Sequence, residues 1–336
     1  MRRLDLDVMS WGLWTAEQRV MRAVVRRFPS LLADRLRTPP PASATLLGRL
    51  RRSLLTVLRH GGIPASVRTF PLVDNPARSF VSGDSLVLAQ LYWFGEQGWE
   101  PELLPWWRYL CRNSSAVLEL GANVGYYAVQ GTSAAPGVQY TAVEPHPTSL
   151  WLCRANLALN GITSVNLVAA AAVADPAAGI ARLLVPRDQL PAPTVAFVDG
   201  DAELPQRMAG PVGAVIEVPT VDVRTLLAGV DLLKLDVEGQ EHALLAAVGD
   251  HLRAHRPTVV IEVLPGTTRL RALLVRLCVE LGYRCYVPQP GRLVPLQPER
   301  LSEVTLLHEY GVQDLVLSAD PDLSLTVAEL GPAGRC

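Results

Sequence analysis

Lysine is nearly absent from this chain: thirty arginines stand against a single lysine, Lys234. Charge of one sign is not in excess either. Lys+Arg 31 and Asp+Glu 32 leave a formal net charge of -1, which excludes a whole-protein electrostatic grip on nucleic acid. Cysteine is sparse and scattered, with Cys111, Cys153, Cys278, Cys285 and Cys336 far apart and in no CxxC or Cys/His spacing. Neither a disulfide framework nor a zinc site is expected, and the thiols read as reduced and mostly buried. No run of about eighteen apolar residues is present to span a bilayer. The opening MRRLDLDVMS places acids where a signal peptide would need an apolar core. The expectation is a soluble, cytoplasmic protein with no membrane and no nucleic-acid partner.

What is present is an apolar globular composition, 49% hydrophobic and 19% charged over 336 residues. That length suits one large domain with an appendage, or two domains. Residues 1–62 read as an N-terminal helical extension in which basic residues outnumber acidic ones. Thr15 and Gln18 form a capping box, and Pro29 divides residues 15–37 into two helices. After the linker TPPPASA, Leu47, Leu50, Leu54 and Leu58 fall on one stripe of a basic amphipathic helix that Gly61 ends. Such a stripe packs on its own protein, lies on an anionic membrane, docks a partner, or joins chains into an oligomer. Residues 63–336 read as the main domain, opening with a hairpin around Asp74-Asn75-Pro76 and two helices from about Asp84 and Pro101.

From Ala116 the pattern becomes strand, helix, strand. AVLEL, VQYTAVE, VNLVAAA, VDLLKLDVE and TVVIEVL are strands; the segments between them are helices, and RCYVP and VQDLVLSA are closing strands. A Pro/Gly-rich excursion from Asp175 to Pro219 adds strands of its own. The alternation implies an α/β fold, a doubly wound, mostly parallel sheet covered by helices on both faces.

In VLELGANVGYY, Gly121 and Gly125 bracket the first strand-to-helix turn, where the chain is expected to turn its amides outward and to approach a ligand closely. The GxGxxG spacing of a dinucleotide site is not met. Glu119, two residues ahead of Gly121, would repel a pyrophosphate but suits a cationic ligand. Glu144 ends the second strand, where an acid can accept ribose hydroxyls. Ala170 and Ala171 leave a small-walled space at the end of the next. In LLKLDVEG, alternation sends Leu233, Leu235 and Val237 to one face and Lys234, Asp236 and Glu238 to the other. A doubly covered strand is ordinarily apolar on both faces, so three charges at its carboxyl end mark a ligand crevice. A desolvated lysine must pair with carboxylates or lose its proton. Glu238 and Glu262 are the partners of a purely structural pair, and the alternative is a working amine.

With these residues in view, the stretch from about Leu86 to Ala319 resembles the FkbM-type methyltransferase family. The motifs are ELGANVGYY, AVEPHP, NLVAAAAVAD, EVPTVDV, and above all LLKLDVEGQE followed by VVIEV. GEQGWEPELLPWW is similar to the family's glycine-and-glutamate stretch, with Trp99 where an aromatic precedes an acid. The resemblance implies a seven-stranded Rossmann-like sheet with an antiparallel last strand, S-adenosylmethionine as cofactor, and methylation of a hydroxyl on a sugar or other small secondary metabolite, a polyketide or peptide included. Alternatives are N- or carboxyl-methylation, or a non-catalytic scaffold. Carried over, Glu119, Gly121, Ala122, Asn123, Gly125 and Tyr126 hold the methionine part. Glu144, Pro145 and His146 hold the ribose, Ala171 edges the adenine, and Asp236 lies beside the transferable methyl. Lys234, Asp236, Glu238 and His242 are the catalytic candidates. Asp236, Glu238, Glu241 and Glu262 offer oxygens to a magnesium ion, although their spacing does not demand one. Trp93, Phe94, Trp99, Trp106 and Trp107 are candidates to roof the acceptor site.

Overall fold

The computed structural model describes residues 21–27, 30–37, 62–176, 179–187, 189, 191–200, 203, 211–303, 312–320 and 323. The capping box at Thr15, the leucine stripe of 47–58 and Cys336 lie outside the described residues. By internal contacts the chain forms two compact units, one running up to Trp99 and taking in residues 190–194, the other beginning at Glu100. No helix among the described residues is long and apolar enough to cross a membrane.

In the first unit, helix α1 (Ser30–Arg37) precedes a hairpin of β1 (Thr69–Pro71) and β2 (Ser79–Val81), followed by α2 (Leu86–Phe94). Phe70 and Phe80 pair across the hairpin. The Arg37 guanidinium lies 4.3 Å from the centre of the Tyr92 ring, and Trp93 donates to the Gly62 carbonyl.

The second unit holds α3 (Leu104–Arg112), then β3 (Ala116–Leu120), α4 (Tyr126–Ala134), β4 (Gln139–Val143), α5 (Pro147–Leu159) and β5 (Val165–Val168). Next come β6 (Ala171–Val173), β7 (Ile180–Pro186), β8 (Phe197–Val198) and β9 (Val212–Asp222). The chain closes with β10 (Leu232–Leu235), α6 (Glu241–Ala247), α7 (Gly249–His255), β11 (Thr258–Glu262), α8 (Thr268–Leu281), β12 (Arg284–Gln289), β13 (Arg292–Leu296) and β14 (Asp314–Ser318). The main sheet runs β13-β12-β14-β11-β10-β3-β4-β5. Strands β11, β10, β3, β4 and β5 are parallel, and β14 runs antiparallel between β11 and β12. The fold is the expected α/β sheet with its antiparallel late strand.

Eight strands stand where seven were expected. The addition, β13, returns from β12 through Pro290 and Gly291, with Gln289 opposite Arg292. Gly291 has φ 72, and a proline followed by a left-handed glycine is the pairing a two-residue type II turn takes. Pro295 argues against a strand unless it lies on an edge, and β13 is an edge. VNLVAAA, read as one strand, divides: β5 stays in the main sheet while β6 joins a second sheet, β6-β9-β7-β8, built from the 175–219 excursion. The single helix expected over QEHALLAAVGDHLR breaks at Val248. One face of the main sheet is an apolar core that includes Leu118, Leu120, Leu233, Leu235, Val259, Ile261, Leu315 and Leu317. Alternation therefore turns Glu119 and Lys234 to the other face.

Candidate active site

The glycine turn is tied to the sheet from within. The amides of Gly121 and Ala122 both donate to the Val143 carbonyl at 3.0 Å, and Gly125 donates to Ala122. Asn123 donates its amide to the Glu144 carboxylate at 2.8 Å, and His146 donates to the other oxygen of that carboxylate at 2.7 Å. Of the amides expected to point outward, those of Gly121, Ala122, Asn123 and Gly125 are instead consumed within the protein, because the turn folds back over the tip of β4. Gly121 has φ 86, and a Cβ there would sit 1.8 Å from the Asp236 carbonyl oxygen. Its lack of a side chain serves the crossing of the β3 and β10 tips. A Cβ on Gly125 would meet Cys153 Sγ at 2.7 Å.

Beside this turn lies a basin of carboxylates around one ammonium. Lys234 is fully buried and stands opposite Glu119 in the register of β10 with β3. Its Nζ is 2.7 Å from Asp236 and 4.7 Å from the centre of the Tyr127 ring. Burial alone would lower the lysine's pKa; Asp236, Asp314, Glu100 and Glu119 outweigh it and hold the value above normal. Lys234 is an ammonium, not a free-amine base. Its partner is Asp236 rather than Glu238 or Glu262. The strand ends at Leu235, and Glu238 adopts a left-handed φ of 54, so strand alternation no longer governs where Glu238 points.

Three of the other acids have donors of their own. Tyr140 donates to Glu119 at 2.6 Å, and Tyr127 donates to Glu100. Glu241 accepts the amides of Val237 and Gly239, both at 2.9 Å. It closes the turn after β10, which removes it from the candidate magnesium ligands. Asp236, Glu238 and Glu262 gather with ligand oxygens within 4.8 Å of one another. His242 is half-buried on α6 and enters no hydrogen bond or ion pair among the described residues.

A family model, that of the methyltransferase FkbM domain, matches residues 119–285. Residues 119–285 belong to the FkbM methyltransferase family. The match opens on Glu119 and takes in the glycine turn, Glu144, Lys234, Asp236 and Glu262. Among solved structures the chain is similar to a methyltransferase FkbM from Methylobacillus flagellatus, at 14% identity and TM-score 0.38, covering 61% of this chain and 44% of that one. It is similar to a SAM-dependent methyltransferase from Agrobacterium tumefaciens at 12% identity and TM-score 0.39, covering 75% and 71%. It is also similar to a precorrin-6y C5,15-methyltransferase from Geobacter metallireducens at 14% identity and TM-score 0.34, covering 64% and 85%. The aligned region is thus under half of the Methylobacillus chain. No curated protein matches.

Within the FkbM domain and the segments on either side of it, the structure adds residues that the sequence motifs passed over. Glu100 is one: of the two acids after Trp99, it is the one whose carboxylate reaches Tyr127 and the Lys234 charge. The others are Tyr127, Tyr140 and Asp314, the last opposite Glu262 across β11 and β14. The only sequence signals were an acid following an aromatic and a charged residue opening an apolar strand. Two of the tryptophans expected near the acceptor are buried inside the second unit. Trp107 is buried, donates to the Tyr127 carbonyl at 2.9 Å and stands edge-on to Tyr127 and Tyr140. Trp106 is buried and donates to Gln289, and Trp93 is buried in the other unit. Phe94 and Trp99 are half-buried. Elsewhere, Ala122 and Tyr126 are buried, Pro145 is half-buried, and His146 caps α5 with its ring toward Ser149. Ala171 is buried in a cluster with Leu183 and Val218.

Burial pushes Glu119, Glu144, Glu100 and Glu241 each up to about 7, against the pull of Lys234 or of backbone amides. An unfolded chain releases such protons near the ordinary carboxylate value, whereas the folded chain keeps them to about 7. The folded state therefore binds more protons across that window, and stability falls as pH rises through it. The thermal midpoint of the ligand-free protein is expected to drop between about pH 5 and pH 8. A midpoint that rises or stays level over that range contradicts the burial of these acids.

Proposed function

We propose that the protein is an S-adenosylmethionine-dependent methyltransferase that methylates a hydroxyl on a sugar or other small secondary metabolite. The observation that carries this is the charge pattern at the glycine turn. Its Gly121, Ala122, Asn123 and Gly125 amides are already bonded within the protein. Glu119, Glu144 and Asp236 gather around it. An anion-binding turn needs free amides and the positive end of a helix. With those four amides spent and three carboxylates close by, the turn favours a ligand carrying positive charge, which the ammonium and sulfonium of S-adenosylmethionine supply.

In this reading Glu119, Gly121, Ala122, Asn123, Gly125 and Tyr126 hold the methionine part. Glu144, with Pro145 and His146, holds the ribose, and Ala171 edges the adenine. S-adenosylmethionine brings a methyl already activated on sulfur, so the protein's task is alignment of the acceptor for in-line displacement. Asp236 and Lys234 divide the work by exposure: the Asp236 side chain is 27% exposed and that of Lys234 is 1% exposed. Asp236 is the member an acceptor hydroxyl can reach, and it accepts the proton lost on transfer. Lys234 positions that carboxylate from behind and lowers the cost of negative charge developing beside it. Glu238 lines the same cluster. Of the four catalytic candidates His242 is the weakest, having no bond to the cluster.

Calorimetry of the whole chain with S-adenosylhomocysteine is the test. Saturable binding at one site per chain is expected, weakened about tenfold or more in Glu119→Gln, a loss of about 1.4 kcal/mol. Absence of binding to the wild-type chain, or NADH binding in its place, would reverse the assignment.

A further inference from the structure

Of the acids around the β10 tip, most have a donor. Glu119 has Tyr140, Glu100 has Tyr127, Asp236 has Lys234, and Glu144 and Glu241 each have two backbone amides. Two oxygens are different: Oε2 of Glu238 and Oε2 of Glu262 are enclosed and accept nothing. Glu262 is only 9% exposed, so water does not replace the missing partner over most of its surface. Both carboxylates, with that of Asp236, converge so that their ligand oxygens lie within 4.8 Å of one another. Three carboxylates converging in this way repel each other, and the Lys234 ammonium is already bonded to one of them.

We infer that Asp236, Glu238 and Glu262 form a site for a hard divalent cation. The donor set is oxygen only, which selects magnesium, manganese or calcium over zinc or copper. The spacing suits such an ion. Oxygens on opposite sides of an ion with bonds of about 2.3–2.6 Å stand about 4.6–5.2 Å apart, and those around magnesium about 4 Å. Three carboxylates supply three of the six or more oxygens required, leaving the remainder to water or to an acceptor oxygen. The ion's place beside the acceptor rests on the functional reading above; its binding to the three acids does not.

Manganese is the probe, followed by electron paramagnetic resonance of the free ion during titration with the full chain stripped by chelator, near neutral pH. One bound manganese per chain is expected, with affinity at least about tenfold lower in Glu262→Gln and in Glu238→Gln, each checked for folding by circular dichroism. Should Glu262→Gln fail to fold, Glu238→Gln decides alone. A free-ion signal unchanged by wild-type protein, or variants that bind as tightly as wild type, overturns the site. The same stripped chain is titrated with S-adenosylhomocysteine. A chain that binds this ligand but takes up no manganese overturns the cation site and spares the methyltransferase reading; one that takes up manganese but never binds the ligand does the reverse.

Discussion

Lys234→Met is expected to lower the stability of the protein by about 3–5 kcal/mol, the usual cost of removing one partner from a buried charge pair. For a domain of this size that corresponds to a thermal midpoint roughly 6–20 °C lower. The reason is what the substitution leaves behind. Methionine fills a volume close to that of lysine, so packing against the Tyr127 ring is largely kept. The ammonium that Asp236 bonds at 2.7 Å, and that offsets Glu100, Glu119 and Asp314, is gone. The acids then meet the loss by holding protons to higher pH, so the destabilisation should be largest above about pH 7 and shrink toward about pH 5. Thermal denaturation of wild type and variant across that range measures both. A loss under about 1 kcal/mol with no pH dependence would mean that Lys234 does not neutralise the basin. Lys234→Arg is not expected to restore the wild-type midpoint, because a planar forked guanidinium does not substitute for a compact ammonium in an enclosed site.

Gly121→Ala is the second large effect. An alanine at φ 86 carries about 1–3 kcal/mol of backbone strain. Its Cβ would in addition lie 1.8 Å from the Asp236 carbonyl oxygen. That atom is backbone and cannot rotate aside, so the tips of β3 and β10 must separate, and with them the Leu120–Asp236 hydrogen bond of 3.1 Å. The expected loss exceeds about 4 kcal/mol, in the range that marks a specific structural fault. Gly161→Ala supplies the control: its φ is 68, and nothing lies within 4 Å of the added carbon. It should cost the strain alone. Equal losses in the two variants would show that the close approach at Asp236 is not what requires glycine at 121.

Much of the fold is legible in the chain because it rests on local periodicity. Leu233 and Leu235 against Lys234 is a period of two that any strand must obey. Gly282, in the left-handed region, ends α8, as a glycine commonly does just past the last helical residue. What escaped was set by neighbours distant in sequence. Strand β13 contains a proline that only an edge position tolerates, and edge position is a property of the sheet. The break between β5 and β6 depends on β9, whose paired residues Thr220 to Asp222 arrive far later in the chain.

The site divides in the same way. That Glu119 precedes the glycine turn, that Glu144 follows the second strand, and that Lys234, Asp236 and Glu238 share a segment can be read along the chain; these are local facts of spacing. Which acid the lysine bonds was set by the folded arrangement of the strands. That arrangement also turned four amides of the glycine turn inward, gave Glu241 to the backbone, and brought Glu100 and Asp314 to the same ammonium. The physical reason is that charge interactions act through space and grow as water is excluded. Which carboxylates meet in the dry interior depends on how strands from distant parts of the chain are laid side by side.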